Sequence, residues 1–278
     1  MNDILLIVGH GARDKEGDGN REVEEFAALW RQKRPELTIQ VCYIEYADVL
    51  LAEGLRRAAQ QADRVLVLPL ILGAAGHVRM EIPAAIEVAR REFPQVTFLC
   101  SRNIGSENKV LEMVRFRLHQ AMSRMDMPDP HTTGVILLGR GSSEPAANAE
   151  VAKLARWLFE TTDHQLVDIA FTGITYPRLE EVVQRQIKLG MSQLVILPFY
   201  LFTGRLIKRI MRQVERLQTT WPDRPLTLAP YIGHHEKLFE LMEERWHQCS
   251  TGTDTLLPCD GCSYRTFAQQ HDDHHHDH

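Results

Sequence analysis

The chain has 278 residues, of which 44% are hydrophobic, and its formal net charge is −5 at pH 7. That length suits one large domain or two modest ones, each able to bury a core. A slightly acidic chain gives no support for nucleic-acid or membrane-surface binding. No run approaches the ~20 apolar residues that a bilayer span needs, and the first apolar stretch is too short for a signal peptide. We therefore expect a cytoplasmic protein.

In the first part of the chain, apolar runs of strand length alternate with amphipathic runs of helical period. The predicted strands are Ile4–Val8, Thr38–Tyr46, Val65–Leu72 and Val96–Cys100. The predicted helices are Arg21–Arg34, Val49–Ala62, Arg79–Phe93 and Ser106–Arg124. The segment Met125–Thr133 holds two prolines and breaks the periodicity, so it is predicted to be a linker.

After the linker the alternation begins again. The predicted strands are Gly134–Leu138, Leu166–Phe171, Leu194–Leu201 and Leu226–Tyr231. The predicted helices are Ala146–Thr161, Leu179–Leu189, Leu206–Thr219 and His235–Gln248. Strands and helices joined by short connections predict an α/β fold of parallel sheets covered by helices on both faces.

The two halves form an internal repeat. ILLIVGHGARDKEGDGN matches VILLGRGSSEPAAN, and VLVLPLILGAAGHVRMEI matches LVILPFYLFTGRLIKRIM. This alignment pairs His10 with Arg140 and His77 with Arg205, so both histidines of the first half become arginines in the second. We expect two tandem domains at residues 1–125 and 133–248, followed by a tail at 249–278.

His10 and His77 each follow a predicted buried strand of the first half. Ligands of open parallel sheets bind outside the carboxyl ends of the strands, and imidazole is the commonest metal ligand. Glu45, at the end of the second predicted strand, is placed to complete a His-His-Glu set for a divalent cation. The alternatives are loop histidines that cap a helix or face solvent, and an exposed glutamate at a strand end.

The sequence resembles the class II chelatases of tetrapyrrole biosynthesis. The segments that carry the resemblance are VGHGAR, Asn20, CYIEYAD and LPLILGAAGHVRMEIP, and it extends over residues 1–248. It is strongest to the sirohydrochlorin cobaltochelatase (CbiX) type in its long two-domain form, with sirohydrochlorin ferrochelatases as near relatives. The resemblance implies a lyase that inserts Co²⁺ into sirohydrochlorin for cobalamin synthesis, and iron or nickel insertion is the alternative.

The resemblance also implies roles for particular residues. His10 and His77 would hold the incoming metal and help to remove the pyrrole protons, and Glu45 would be the acidic residue beside the metal. The second half lacks both histidines, so we expect no second active centre there. The sequence contains no G-x-x-x-x-G-K-[ST] segment, so no ATP is expected.

The implied substrate carries eight carboxylates, and arginine binds carboxylates through two parallel hydrogen bonds. Arg140 and Arg205 are candidate substrate-binding residues because the repeat places them at the histidine positions. Arg13 and Arg79 flank the two histidines and are further candidates. The alternative is that these arginines are solvated residues at helix starts.

The tail is short, polar and rich in turn residues, and it holds a C-x-x-C pair at Cys259 and Cys262. This spacing suits zinc or an iron–sulfur cluster, and the long-form resemblance suggests [4Fe–4S]. Two cysteines do not complete a site, so Cys249, a tail histidine or the second subunit of a homodimer would have to contribute. Free surface thiols are the alternative.

The chain ends in a tract that is predicted to act as a reservoir for divalent metal. Its histidines are His271, His274, His275, His276 and His278. The competing hypothesis is a binding protein rather than an enzyme. It would be a non-catalytic metallochaperone or tetrapyrrole carrier in which this tract does most of the binding. A carrier would need the tract more than the His10 and His77 pair, whereas a chelatase would need the pair more than the tract.

Overall fold

The computed structural model describes residues 2–13, 18–73 and 80–252. It confirms the predicted α/β fold with two parallel sheets. The elements of the first half are β1 (Asp3–Gly9), α1 (Asp18–Lys33), β2 (Thr38–Tyr43), α2 (Leu51–Ala59), β3 (Arg64–Pro69), α3 (Ile82–Glu92), β4 (Thr97–Cys100) and α4 (Asn108–Met122). Those of the second half are β5 (Thr133–Gly139), α5 (Pro145–Glu160), β6 (Val167–Phe171), α6 (Leu179–Lys188), β7 (Gln193–Pro198), α7 (Arg205–Thr220), β8 (Leu226–Leu228) and α8 (Glu236–Thr251).

Both sheets have the same topology. The first has the strand order β2-β1-β3-β4 and the second has the order β6-β5-β7-β8, and the strand pairs in both are parallel. In this order the connections from the first and second strands of each sheet run in opposite directions. The carboxyl ends of β1 and β3, and likewise of β5 and β7, therefore flank the point where such sheets bind ligands.

The central strands are buried on both faces. Leu5, Leu6 and Ile7 of β1 have no exposed surface, and neither do Ile136 and Leu137 of β5. Burial on both faces explains why these strands appear in the sequence as continuous apolar runs rather than as alternating ones.

Several predicted strands extend too far along the chain. The second was predicted to reach Tyr46, but β2 ends at Tyr43. The third and seventh end at Pro69 and Pro198, because proline has no N–H to donate to the ladder. The residues beyond these points form the loops at the carboxyl edges of the sheets, where the candidate functional residues lie.

Cys42 and Cys100 are buried in the core of the first sheet and form no disulfide with another described residue. Burial raises the pKa of the Cys42 thiol to about 12, which keeps it protonated and unreactive. The last predicted helix ends at Gln248 and so leaves out Cys249, and this predicted end is too early. Helix α8 continues to Thr251, and the Cys249 side chain has no exposed surface.

The described chain forms two compact units that do not follow chain order. One contains the first sheet, in the described residues of 2–12 and 23–105, together with residues 240–252. The other contains residues 13–22 and 106–239, so α4 packs with β7 and α5 of the second sheet. The domain limits at residues 125 and 133 follow the sequence repeat and stay a prediction. Across the described ranges, no helix is long and apolar enough to span a bilayer.

The buried imidazole of His164 gives a prediction about pH and stability. His164 is 5% exposed, and its Nδ1 lies 2.9 Å from the backbone oxygen of Thr133, so the neutral ring donates to that oxygen. Burial lowers the pKa of His164 below its usual value of about 6.5. The unfolded chain therefore binds a proton at a higher pH than the folded chain, and the free energy of unfolding falls as the pH drops below about 6.5.

We expect the free energy of unfolding to fall less with pH in His164→Asn than in the wild type. The difference is up to about 1.4 kcal/mol for each pH unit by which the folded pKa of His164 lies below the unfolded one. Urea unfolding between pH 7 and pH 5 measures it. The matched control is His119→Asn, because His119 is an exposed histidine on α4. Equal pH slopes in the wild type and His164→Asn would contradict the assignment.

Candidate active site

His10 follows β1 at the carboxyl edge of the first sheet, and hydrogen bonds continue past the end of the strand. The N–H of Ile44 donates to the oxygen of Gly9 over 3.0 Å, and the N–H of Glu45 donates to the oxygen of His10 over 3.1 Å. These bonds hold the residue after β1 beside the second residue after β2. His10 and Glu45, which the sequence predicts to act together, are therefore neighbours in the structure.

The two side chains are close and partly exposed. His10 Nδ1 lies 3.4 Å from Glu45 Oε1, and the side chains are 27% and 33% exposed. His10 Nδ1 also lies 3.2 Å from the backbone oxygen of Gly11. Both neighbours are acceptors, so in the neutral ring Nδ1 carries the proton, and Nε2 is the nitrogen whose lone pair can coordinate a metal ion.

Gly11 allows this close approach of the two loops. Its φ is +93°, and a Cβ on this residue would lie only 1.7 Å from the backbone oxygen of Glu45. No other residue fits without displacing the backbone that carries the glutamate. The glycine after the histidine is therefore required by the geometry of the pair.

The second sheet repeats this backbone with different side chains. The N–H of Thr172 donates to the oxygen of Gly139 over 2.9 Å, and the N–H of Gly173 donates to the oxygen of Arg140 over 3.1 Å. Gly141 has a φ of +87°. The structure thus pairs His10 with Arg140, as the sequence alignment does, and it pairs Glu45 with Gly173. At the equivalent positions the second half therefore lacks the carboxylate of Glu45 as well as the two histidines.

Two residues at this edge were not found by sequence reasoning. Tyr46 and Ile174 follow Glu45 and Gly173, and they are the non-glycine residues of the described chain that have positive φ, at 53° and 64°. They are 42% and 59% exposed. Strained backbone of this kind collects at functional sites. The alignment of the repeats could have paired these two residues, but a positive φ has no signal in a tyrosine or an isoleucine.

The other predicted site residues fall into two groups. Arg13, Arg140 and Arg205 are exposed, and Arg205 is the first residue of α7. The second group lies outside the described residues and consists of His77, Arg79, Cys259, Cys262 and the tail histidines His271, His274, His275, His276 and His278. The convergence of His10 with His77 therefore stays a prediction.

Among the described residues, no three histidine, cysteine or acidic side chains lie close enough together to hold a metal ion. His10 and Glu45 supply two donors, and the sequence places His77 in the loop after β3, the strand next to β1. A strand-end histidine beside a carboxylate in a duplicated α/β chain is what the resemblance to the class II chelatases leads us to expect.

Comparison with known proteins supports that class and specifies the family. The CbiX family profile matches residues 4–121 and 134–249, one match for each half. The chain is 36% identical to a sirohydrochlorin cobaltochelatase of Priestia megaterium over 98% of this chain and 87% of that protein. It is 28% identical to a sirohydrochlorin ferrochelatase of the same organism over 95% of this chain and 94% of that protein. The chain belongs to the CbiX family.

A solved structure confirms the two-repeat fold. SirB from Bacillus subtilis with Fe³⁺ shares 27% identity with this chain and has a TM-score of 0.77. The match covers 92% of this chain and all of that one. The α/β architecture with two tandem CbiX repeats is thus that of the known SirB chelatase.

The close approach at Gly11 predicts the effect of its substitution. In Gly11→Ala the Cβ must displace the Glu45 backbone, and we expect the free energy of unfolding to fall by roughly 1–2 kcal/mol and Co²⁺ affinity to fall about tenfold or more. Urea unfolding and Co²⁺ titration against a competing chelator measure the two effects.

Gly141→Ala is the matched control, because its Cβ would lie 2.2 Å from the oxygen of Gly173, at an edge without His10 or Glu45. It should lose similar stability and keep its Co²⁺ affinity. Equal loss of Co²⁺ affinity in both variants would contradict a metal site at His10 and Glu45.

Proposed function

We propose that the chain inserts Co²⁺ into sirohydrochlorin, without ATP, on the route to cobalamin. The observation that carries the proposal is the placement of the His10 imidazole 3.4 Å from the Glu45 carboxylate at the carboxyl edge of a parallel sheet. Membership of the CbiX family and the 36% identity to a cobaltochelatase support the substrate and the metal.

The reaction has three requirements: the hydrated ion must lose water, the ring must be held, and two pyrrole N–H protons must leave for each divalent ion that enters. In this proposal His10 meets the first by offering Nε2 to the ion, while Gly11 and Glu45 fix its Nδ1 proton. A nitrogen ligand bound at ~2.0–2.1 Å replaces water and is replaced in turn by the ring nitrogens.

Glu45 and His77 complete the proposed site. Glu45 faces Nδ1, on the side of the imidazole away from Nε2, so it is proposed as the acidic residue that orients His10 beside the metal. As the ion passes to the ring nitrogens, the released imidazole and the carboxylate can each accept one of the two pyrrole protons. His77 is proposed as the second imidazole, because its loop follows the strand next to β1. Transfer of a proton to a placed base contributes typically 10²–10⁴-fold to a rate.

The substrate's carboxylates are proposed to bind arginine side chains. Arg13, Arg140 and Arg205 are exposed in the structure, and Arg79 is the fourth candidate. Arg205 begins α7 directly after Gly204, so its backbone lies at a helix N-terminus, where the partial positive charge of the helix also favours an anion.

The tail has a supporting role in the proposal. Its histidines are proposed to collect divalent metal, and Cys259 and Cys262 are proposed ligands of a [4Fe–4S] cluster. The fully buried position of Cys249 removes it as a third ligand unless the end of α8 unfolds. A homodimer, in which two C-x-x-C pairs combine, would supply the four thiolates that such a cluster uses.

Iron insertion is the second candidate, and the 28% identity to a ferrochelatase over 270 residues favours it. Imidazole and carboxylate ligands bind Fe²⁺, Co²⁺ and Ni²⁺ alike, and the order of affinity does not decide which metal a protein uses in the cell. The metal must therefore be identified by comparison of rates.

The test is an anaerobic insertion assay in which sirohydrochlorin is offered Co²⁺, Fe²⁺ or Ni²⁺ separately. We expect the highest kcat/KM with Co²⁺. His10→Ala and Glu45→Gln should each lower kcat/KM by about 10²-fold or more, because each removes a ligand or a base.

His131→Ala is the control, since His131 is an exposed histidine between α4 and β5. Full activity in His10→Ala would exclude His10 from the site, and a preference for Fe²⁺ would replace cobalt by iron. A protein that binds sirohydrochlorin but inserts none of the three metals would be a carrier.

Arg205→Ala tests the arginine proposal. We expect the KM for sirohydrochlorin to rise about tenfold with little change in the KM for Co²⁺, since a charged hydrogen bond contributes about 1.5–3 kcal/mol. Arg216→Ala, three turns further along the exposed side of α7, is the matched control. An unchanged KM for sirohydrochlorin in Arg205→Ala would remove this residue from the substrate site.

A further inference from the structure

The carboxyl edge of the second sheet has the backbone of the first but lacks its carboxylate. Gly173 donates to the Arg140 oxygen over 3.1 Å, as Glu45 donates to the His10 oxygen over 3.1 Å. A Cβ on Gly173 would have its nearest neighbours at 3.9 and 4.0 Å, which is ordinary contact. A larger residue would therefore fit at position 173 without a clash at its Cβ, and the space where its side chain would begin is open.

Arg178 lies beside this space. Its Nη1 is the atom 4.0 Å from the Cβ position of Gly173. Nη1 is buried and has no hydrogen-bond partner among the residues that the structure describes. Arg178 does bond to a carboxylate, but through its backbone, whose N–H donates to Glu181 Oε2 over 3.1 Å. A buried charged donor without a partner is costly, so this edge favours an acceptor supplied from outside.

Comparison of the two sheets shows that the edge differs at two paired positions. Arg178 forms an isolated bridge with Phe171, and Leu50 forms the corresponding bridge with Tyr43. An apolar side chain in the first half is thus replaced by a guanidinium in the second, at the edge where Gly173 replaces Glu45. Loss of a carboxylate and gain of an arginine change the edge from one that suits a cation to one that suits an anion.

Arg140 and two hydroxyls lie at the same edge. The Tyr200 hydroxyl lies 2.9 Å from Thr172 Oγ1, which donates to the Arg140 oxygen over 3.3 Å. Burial raises the pKa of Tyr200 to about 12, and the nearby charges of Arg140 and Arg209 act in the opposite direction. The two hydroxyl protons are used within this chain of hydrogen bonds, so what the edge offers to a carboxylate is the positive charge of its guanidinium groups.

We propose that the carboxyl edge of the second sheet is a carboxylate-binding subsite, in which Arg178 binds a ligand carboxylate that enters the space over Gly173. This rests on the proposed function, since the carboxylate is taken to be one of those on the rim of sirohydrochlorin. The Tyr176 ring stacks on the guanidinium at 4.4 Å and is 66% exposed, so its side chain can rotate to admit the ligand.

Substitution at Gly173 provides the sharpest test, because the position accepts a side chain. Gly173→Glu would place an internal carboxylate beside Arg178 and compete with the ligand, whereas Gly173→Gln has the same size without the charge. Arg178→Leu restores the residue of the first half. We measure binding of metal-free sirohydrochlorin by absorbance titration, so the result does not depend on metal insertion.

We expect Gly173→Glu and Arg178→Leu to weaken sirohydrochlorin binding by about tenfold or more, and Gly173→Gln to change it less than about threefold. The octamethyl ester of the ring, which has no charged carboxylates, should bind the wild type and Arg178→Leu equally. Urea midpoints of all variants confirm that they are folded.

Wild-type affinity in both Gly173→Glu and Arg178→Leu would overturn the subsite. So would an equal loss with the ester, because Arg178 would then act through packing rather than charge. A wild type that binds the ring tightly and loses affinity in these variants, yet inserts no metal, would support the subsite and overturn the proposed function. The failures of the two proposals are therefore distinguishable.

Discussion

The candidate site depends on two backbone hydrogen bonds beyond the end of a sheet, of which the second lies directly at the functional pair. The bond from the Glu45 N–H to the His10 oxygen holds the loop after β2 against the loop after β1. It forms because Gly11 adopts a φ of +93° and leaves room for the Glu45 oxygen. The imidazole and the carboxylate are thus positioned by main chain that is continuous with the sheet. Functional groups held by a rigid scaffold lose little freedom when a ligand binds, which favours precise placement of a metal ion.

The two halves of the duplicated chain share one backbone arrangement at the sheet edge but carry different side chains on it. The second sheet keeps the strand order, the two hydrogen bonds and the glycine with positive φ. It replaces His10 by Arg140 and Glu45 by Gly173, and it places Arg178 where the first half has Leu50. The same scaffold therefore presents donors for a cation in one half and donors for an anion in the other. The proposed reaction, which joins a divalent cation to a polycarboxylate ring, would use both kinds of donor.

The sequence predicted the alternation of elements and the duplication because buried strands and amphipathic helices have clear periodicities. It also placed His10 and Glu45 at one edge, since that follows from parallel strand order alone. It could not show that α4 belongs to the unit of the second sheet, because amphipathic periodicity identifies a buried face and not the sheet that buries it. It did not find Arg178, because the repeat alignment was made on the segments around His10 and His77. The pairing of Leu50 with Arg178 becomes visible only through their bridges to Tyr43 and Phe171.

The backbone strain at Tyr46 and Ile174 has two possible causes: it serves the metal ligands, or it follows from the path of the loop after β2 or β6. Each residue in such a conformation costs on the order of 1–3 kcal/mol, and if the strain served the metal ligands alone, the second half would have had reason to lose it with them. It persists at Ile174, beside a glycine that has no side chain to bind a metal.

The strain therefore belongs to the path of the loop after β2 or β6, which must turn sharply once its N–H has bonded to the residue after the central strand. That turn leaves an exposed apolar side chain beside the functional position in both halves. The same few residues thus offer a hydrophobic surface next to either the His10 and Glu45 pair or a guanidinium, which agrees with the proposal that a flat ring with a charged rim binds there.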